Sequence, residues 1–255
     1  MVLILLPPSE GKTAAETGQP FELSELSFAE LNGPRQEVLG ALASASSHPE
    51  ALALLGVGAS LAEEVERNRR LEAEPSAPAH TVYSGVLYDA LGYASMTAAQ
   101  KRKADAAVVV ISALWGAIGF ADRIPAYRLS MSVGLPETGK LASYWKKHLP
   151  AALDGRADGQ LVVDCRSSSY AAAWAPPAES TVAVNVFQER AGKRTVVSHF
   201  AKHTRGELAR HLLTRRGKAP ATPAALLKAA TEKWRAELTP GSGRKPHALS
   251  IILEG

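Results

Sequence analysis

The sequence contains only one cysteine, Cys165, in 255 residues. A single cysteine excludes an intrachain disulfide framework and agrees with a reducing compartment. Long hydrophobic runs are also missing, because the opening run Val2–Leu6 is stopped by Pro7 and Pro8. Such a run is too short for a signal-peptide core or a membrane span. We therefore expect a cytoplasmic protein with a buried first strand and no membrane partner.

Positive charge is scarce in the first part of the chain. Residues 1–80 contain five Lys/Arg and twelve Asp/Glu, whereas residues 81–255 contain 24 and 13. This asymmetry is typical of a protein that directs one basic face at an anionic partner, for which nucleic acid is the commonest candidate. A small acidic substrate would favour similar residues locally, so the charge pattern alone does not decide between them.

Apolar runs and helical patterns interleave along the chain. Continuous apolar runs, typical of strands covered on both faces, predict strands at Val2–Leu6, Ala107–Ser112, Gln160–Cys165, Thr181–Phe187, Arg194–Ser198 and Ala248–Leu253. Helical periodicity predicts helices at Arg35–Ser46, Pro49–Leu55, Ser60–Ala73, Thr97–Asp105, Gly139–Leu149, Thr204–Arg216 and Pro223–Leu238. The predicted class is therefore α/β (mixed α+β), with a mixed central sheet flanked by helices. We assign residues 1–255 to a single domain with a helical insertion over about residues 22–73.

Two glycines join two predicted helices within Leu54–Val65, which reads LLGVGASLAEEV. Gly56 and Gly58 would allow a tight turn whose backbone N–H groups approach a DNA phosphate, with the positive end of the second helix directed at the same anion. Ala62 and Val65 would pack the two helices together. The pattern resembles a helix-hairpin-helix, but an ordinary helical hairpin would use the glycines only as a cap and a turn. Both interpretations stay open at this point.

The segment Leu6–Thr13, LPPSEGKT, follows the first predicted strand and ends in Gly-Lys-Thr. It is not a Walker A loop, because Leu6 occupies the position of the first glycine and two prolines remove backbone donors. Lys12 remains a candidate cation at the carboxyl end of a strand, where open α/β sheets bind their ligands. The alternative is a surface lysine in a loop.

Aromatic residues and arginines occur together in Ser112–Met131, namely Trp115, Phe120, Tyr127, Arg123 and Arg128. Rings beside arginines can stack on bases and hold phosphates. The alternative is a hydrophobic loop in which Asp122 and Arg123 pair with each other. In either case Arg128, in Ala-Tyr-Arg-Leu, is the strongest functional candidate of this segment.

Polar residues also follow the third predicted strand, in Asp164–Tyr170. Arg166, Ser167 and Ser168 stand at a strand-to-helix junction, where polar groups commonly line a cleft. Alternatively, one of the serines caps the helix and Arg166 is exposed.

Positive charge is most concentrated in Val196–Lys218. On a helix from Thr204, Arg205 falls within the apolar arc, so its guanidinium needs a partner. That partner is either a carboxylate of the fold, water reached by the extended side chain, or a ligand anion such as phosphate.

Metal-binding and catalytic groupings are weakly represented. His199, His203, Glu207 and His211 are spaced by four residues, which would align ligands on one helix face. However, the strand predicted before them places His199 ahead of the helix, so we expect no metal and no cofactor. We assign no catalytic residue, because neither a nucleophile with a base and an orienting group nor a suggestive pair of carboxylates stands out.

Five blocks, in order along essentially the whole chain, resemble the YaaA-type peroxide-stress proteins. They are the first strand with SEGKT, YSGVLYDAL from Tyr83, SALWGAIGFADRIPAYRLSM, DCRSSSY and SHFAKHTRGELAR. The resemblance implies a cytoplasmic bacterial protein, produced under hydrogen peroxide stress, that helps to limit free iron and DNA damage. It also implies a single α/β domain that carries a helix-hairpin-helix, has a basic cleft and binds DNA. Because phosphate contacts position a duplex without reading its sequence, we expect weak sequence preference and strong salt dependence.

Site residues follow from this resemblance together with the strand-end pattern. The expected nucleic-acid-binding residues are Gly56, Gly58, Lys12, Arg128, Arg166, Lys202, Arg205 and Arg210. The chain departs from many relatives at PPSEGK, at DCRSSSY, and at His203 and Glu207. Two alternatives to DNA binding stay open. One is an enzyme acting on a small anionic or nucleotide substrate in the same cleft, which the positively charged and hydroxyl side chains at the strand ends favour. The other is an iron-binding protein, against which the departures at His203 and Glu207 count.

Overall fold

The computed structural model describes residues 2–190, 193–196 and 198–254. Within them, the main sheet has eight strands in the order β11-β12-β9-β8-β1-β3-β4, with β10 paired to β9. The strands are β1 Val2–Leu6, β2 Ala77–Pro78, β3 Val108–Ser112, β4 Gly116–Gly119, β5 Arg123–Ile124, β6 Gly134–Leu135, β7 Gly139–Lys140, β8 Leu161–Asp164, β9 Thr181–Arg190, β10 Lys193–Val196, β11 Arg235–Thr239 and β12 His247–Glu254. The pairs β2–β5 and β6–β7 form two small separate sheets.

Helices flank this sheet. The α-helices are α1 Asn32–Ser47, α2 Ala51–Leu54, α3 Ala62–Arg67, α4 Ala79–Val82, α5 Val86–Leu91, α6 Ala98–Ala107, α7 Leu141–Ala157, α8 Ser168–Ala171, α9 Ser198–Thr214 and α10 Pro223–Ala230. Residues 22–73 contain α1 to α3 and four 3-10 turns. In the described ranges, each helix is too short or too polar to cross a lipid bilayer.

The centre of the sheet is parallel and buried on both faces. β1 pairs in parallel with β3 on one side and with β8 on the other. All residues of these three strands are buried. Their continuous runs of Val, Leu and Ile are typical of strands covered on both faces by other elements. The predicted class, α/β with a mixed central sheet, is therefore confirmed.

The connections between strands run in opposite directions on the two sides of the β1–β8 pair. The connection that leaves β1 leads to β3 on one side, whereas the connection that leaves β8 leads to β9 on the other side. Because neighbouring connections diverge there, a crevice opens outside the carboxyl ends of β1 and β8. Such a switch point is where open α/β sheets place their ligands.

The predicted helix Pro223–Leu238 is wrong in its second half. The helix α10 begins as predicted, with the Thr222 hydroxyl accepting a hydrogen bond from the amide of Ala225 at 3.2 Å, but it ends at Ala230. Residues Arg235–Thr239 form the edge strand β11, antiparallel to β12. The side chains of β11 alternate between exposed and half-buried, as expected for a strand with one solvated face.

Other boundaries also differ from the prediction. The helix expected from Thr204 begins at Ser198, so His199 lies within α9 rather than before it. Of the strand predicted over Arg194–Ser198, the structure shows β10 ending at Val196, and Val197 lies outside the described residues. The helix predicted over Ser60–Ala73 is interrupted, because α3 covers only its middle and 3-10 turns flank it.

Arg35 is a fully buried cation that attaches the insertion to the sheet. Its guanidinium donates hydrogen bonds to the carbonyls of Trp115, Ala117 and Ser27 at 3.1, 2.7 and 2.7 Å. A fourth bond, of 2.8 Å, goes to the side-chain oxygen of Asn32. Because a buried charge is tolerated only when its donors are satisfied, these four bonds fix α1 against β4.

Helices α5 and α9 approach each other closely at Gly206. A Cβ atom added to Gly206 would overlap the carbonyl oxygen of Leu87 and contact the Cβ of Ala90. The absence of a side chain at Gly206 therefore allows the backbones of the two helices to come into contact. This contact sets how close the cations of α9 lie to the loops at the carboxyl ends of β1 and β8.

We predict that Gly206→Ala lowers the free energy of unfolding by about 1–3 kcal/mol or more, because the new methyl group meets backbone atoms that cannot move independently. Gly40→Ala is the matched control, since Gly40 also lies within a helix and a Cβ there meets no atom within 4 Å. The control should be neutral or gain up to about 1 kcal/mol from helix propensity. Denaturant unfolding measures both, and equal effects would contradict a close contact at Gly206.

Candidate functional site

A cavity of about 230 Å³ lies at the switch point of the sheet. Its walls come from the loop after β1, the start of α5, the loop after β8 and the first half of α9. The lining residues are Pro7 to Gly11, Ser84 to Tyr88, Cys165, Ser167, Tyr170, Lys202 and Arg205. The sequence therefore correctly placed a cleft at the strand ends.

The loop after β1 is held in place by the segment that leads into α5. The Ser9 hydroxyl accepts a hydrogen bond from the amide of Ser84 at 3.1 Å and donates one to the carbonyl of Gly11. The Tyr88 hydroxyl donates to the carbonyl of Pro7 at 2.7 Å. With its backbone attached at several points, the loop presents a defined surface to the cavity.

Lys12 lies beside this loop rather than in the lining of the cavity. Its half-buried ammonium donates a 2.8 Å hydrogen bond to the carbonyl of Ser9 and lies 4.2 Å from the centre of the Tyr127 ring and 5.7 Å from that of Tyr83. Burial lowers the pKa of Lys12 to about 7, and the attraction of Glu10 offsets this only in part. The ammonium of Lys12 therefore gives up its proton far more readily than that of an exposed lysine.

Arg205 and Lys202 bring positive charge to the cavity from α9. The Nε and Nη2 atoms of Arg205 donate to the carbonyl of Val184 on β9 at 3.1 and 2.8 Å. The partner of Arg205 within the fold is therefore a backbone carbonyl, not the carboxylate considered from the sequence. The Nη1 atom has no hydrogen bond within the described part of the chain, so it is available to a ligand anion. Lys202 is exposed.

Arg128 lies in a neighbouring groove that Gly56 and Val57 also line. Its guanidinium donates to the carbonyl of Glu10 at 3.0 Å and is 3.5 and 3.7 Å from the carboxylates of Glu10 and Glu64. Because only 18% of the side chain is exposed, a phosphate would have to compete with these carboxylates. Glu10 lines both the groove and the cavity, so the two are adjacent.

The Gly56–Gly58 turn joins α2 to α3. Gly56 has a φ of 63°, and the amides of Gly56 and Val57 donate to the carbonyls of Ala53 and Leu52 at 3.1 and 2.9 Å. This is the Schellman arrangement, which explains the glycine at the first position. Gly58 has ordinary backbone angles, so its conformation does not require glycine.

The helix packing expected around this turn is only partly present. Val65 is buried, as predicted. Ala62 is exposed and does not pack the helices together, which corrects the prediction.

Arg166 is not available to nucleic acid, contrary to the sequence prediction. Its side chain is only 1% exposed and pairs with Asp164 through bonds of 2.8 Å from Nε and 2.7 Å from Nη2. Its Nη1 donates to the carbonyl of Tyr170 at 3.3 Å. Arg166 therefore shapes the loop after β8 from behind, and the exposed position proposed as the alternative is also wrong.

Arg210 is likewise a structural residue. It donates to the carbonyls of Leu91 and Gly92 at 2.9 and 2.8 Å and to the hydroxyl of Ser95 at 2.9 Å. These carbonyls belong to the carboxyl end of α5, where they lack partners within the helix. Arg210 therefore fastens α9 to α5, and its contact with DNA stays a prediction.

The aromatic residues of Ser112–Met131 belong to the core. Trp115, Phe120 and Tyr127 are buried, so they do not offer faces to bases. The expected pair between Asp122 and Arg123 is wrong. Asp122 accepts from the amide and hydroxyl of Ser27 and from the amide of Gly119, and Arg123 donates to the carbonyl of Ser76.

His203 and His211, both on α9, have separate partners. His203 lies 3.3 Å from Glu207, and buried His211 contacts the carbonyl of Ala229 and the carboxylate of Glu232 at 2.9 and 3.0 Å. In the described ranges, no group of three or more potential metal ligands lies together.

Sequence reasoning missed the segment before and within α5. Ser84, Leu87 and Tyr88 line the cavity, although they stand far from the strand ends in the sequence. The sequence signal for this helix is the YSGVLYDAL block, whose apolar residues recur at helical spacing but over only two turns. The catalytic, metal and cofactor predictions are not tested by this geometry.

Comparison with known sequences gives a consistent result. Residues 2–238 match the model of the family described as peroxide stress protein YaaA. A UPF0246 protein of Streptomyces coelicolor is 42% identical over 260 residues, covering 99% of this chain and 98% of its own length. A UPF0246 protein of Corynebacterium glutamicum is 43% identical over 215 residues, covering 83% and 84%.

We predict that the amine of Lys12 titrates near pH 7, whereas exposed lysines titrate near their ordinary pKa of about 10.4. The amine is protonated below that pH and neutral above it. Carbon-13 NMR of the reductively methylated protein measures the titration, with Lys12→Arg identifying the signal. A Lys12 titration in the ordinary range would show that its ammonium is solvated and not held against Tyr83 and Tyr127.

Proposed function

The chain belongs to the YaaA family of peroxide stress proteins, and we propose that it is a cytoplasmic DNA-binding protein of the hydrogen peroxide stress response. In this role it helps to limit free intracellular iron and the DNA damage that iron promotes, as the family resemblance implies. DNA contacts are assigned to one face, formed by the Gly56–Gly58 turn, Arg128, Lys202 and Arg205. No residue is assigned to the control of iron.

The observation that carries this proposal is the adjacency of two cation-bearing depressions. Arg128 and Gly56 line the groove, Lys202 and Arg205 line the cavity, and Glu10 lines both. A nucleic-acid backbone presents phosphates at regular intervals, so it needs several donors spread along one surface. The shared wall at Glu10 supports a common track for such a polymer.

The Gly56–Gly58 turn adds uncharged donors to this track. Gly56, Gly58 and Ala59 are exposed. In the described residues, the amides of Gly58 and Ala59 make no hydrogen bond, so they are available to a phosphate oxygen. Backbone amides of this kind position a nucleic acid without reading its sequence. We propose that the turn acts as a helix-hairpin-helix in this sense.

The face also contains two carboxylates, which limit its affinity. Glu10 and Glu64 lie within 3.7 Å of the Arg128 guanidinium. A phosphate that approaches Arg128 must displace them or share the arginine with them. We therefore propose weak, salt-dependent binding with little sequence preference, because the contacts are to phosphates rather than to base edges.

We predict that affinity for a duplex falls steeply between about 50 mM and 200 mM salt, and that Lys202→Ala weakens binding to all sequences and reduces the salt slope by about one. Arg128→Ala should act in the same direction. Lys147→Ala is the control, since Lys147 is exposed on α7 and lines neither depression. Fluorescence anisotropy of a labelled duplex measures the constants.

Two results would count against this function. Binding that does not depend on salt would exclude phosphate contacts as its main source. An equal loss in Lys147→Ala and Lys202→Ala would show that net charge matters and the proposed face does not.

Cys165 is not suited to sense peroxide directly. Peroxide oxidises the thiolate form of cysteine. Burial raises the pKa of Cys165 to about 12, so the residue is a thiol at neutral pH. We predict that labelling with a sulfenic-acid reagent after mild peroxide treatment detects no modification of Cys165 in the folded protein. Modification that appears before unfolding would contradict this.

A further inference from the structure

The cavity has two kinds of wall. Pro7, Pro8, Leu87 and Tyr88 form an apolar wall, and Lys202 and Arg205 supply the cations. Phosphate contacts alone would use the cations and would gain nothing from an apolar enclosure. A ligand that satisfies both walls has an apolar, ring-like body and an anionic group.

The size of the cavity limits this ligand. At about 230 Å³, the cavity is smaller than the roughly 300–1,000 Å³ of typical pockets for drug-sized ligands. A double helix is too large to enter such a space, because it is wider than its own major groove, which measures about 12 Å. One ring system with its sugar has about the right size for the cavity, provided that the anionic group lies at the mouth, beside exposed Lys202.

The anion-binding end of the cavity is already ordered in the absence of a ligand. Two bonds to the carbonyl of Val184 hold the Arg205 guanidinium in place. A fixed guanidinium loses little rotamer freedom when it binds an anion. The carboxylate of Glu10 is the counter-charge in the lining, and it is already engaged with Arg128 at 3.5 Å.

We propose that the cavity binds one nucleoside monophosphate unit, with its phosphate at Lys202 and Arg205 and its base against the wall of Pro7, Pro8, Leu87 and Tyr88. The inference rests on the proposed function, since it states which part of a nucleic acid enters the cavity beside the track. The unit arrives either as a free nucleotide or as a nucleotide unstacked from a strand. Unstacking is least costly in single strands and at damaged or mismatched positions.

The first test compares deoxyadenosine monophosphate with its fragments. By isothermal titration calorimetry, the nucleotide should bind at least about tenfold more tightly than deoxyadenosine or inorganic phosphate, because only the nucleotide contacts both walls. Lys202→Ala should weaken this binding. Ser167→Trp should also weaken it, since Ser167 is exposed in the lining and makes no capping bond to α8. Ala172→Trp, exposed at the end of the same helix, is the control and should bind normally.

The second test separates the two sources of the unit. A single strand with one 2-aminopurine brightens when that base leaves the stack. Brightening with the parent protein but not with Ser167→Trp shows that the strand supplies the unit. No brightening, together with tight binding of the free nucleotide, assigns the cavity to free nucleotides.

These tests distinguish a failure of nucleotide binding in the cavity from a failure of DNA binding. If deoxyadenosine monophosphate does not bind, and Ser167→Trp leaves the affinity and 2-aminopurine signal of the single strand unchanged, the cavity proposal is wrong even though DNA binding stands. If the nucleotide binds but no duplex or single strand does, the DNA-binding function fails and the cavity proposal is retained for free nucleotides.

Discussion

The contact of α9 with α5 at Gly206 is the constraint on which the candidate site depends. Three positions in the middle of α9 hold this helix in place, and none of them pairs with a carboxylate. Arg205 binds the carbonyl of Val184 on β9, Gly206 lies against the carbonyl of Leu87, and Arg210 binds the carbonyls that end α5. Because backbone groups do the holding, Lys202 and Arg205 are brought to the switch point by the fold itself.

This arrangement separates the arginines of the chain by role. Arg35, Arg166 and Arg210 are satisfied by protein oxygens, and each fixes one element against another. Arg205 serves both purposes, because it is anchored to β9 through two nitrogens while it lines the cavity. Positive charge in the sequence is therefore a poor guide to the anion-binding face until the partners of each guanidinium are known.

Much of the fold could be predicted from the sequence, because continuous apolar runs mark buried parallel strands. β1, β3, β8 and β12 were found in this way. β11 was missed for a physical reason: its period-two alternation spans five residues and follows α10 without an intervening glycine or proline. The cavity was expected at the strand ends, but its α5 wall was not, since that wall depends on a helix contact between residues more than a hundred positions apart. For the same reason, the carbonyl partners of Arg210 were beyond sequence reasoning.

In the proposed function, a nucleic acid lies along one face, from the Gly56–Gly58 turn across Glu10 to the start of α9. Hydrogen–deuterium exchange with and without a DNA duplex tests it most directly, since it reports where backbone amides become protected. We predict added protection in residues 9–12, 56–60 and 200–206. Protection confined to α7 and α10, with these three segments unchanged, would contradict the account.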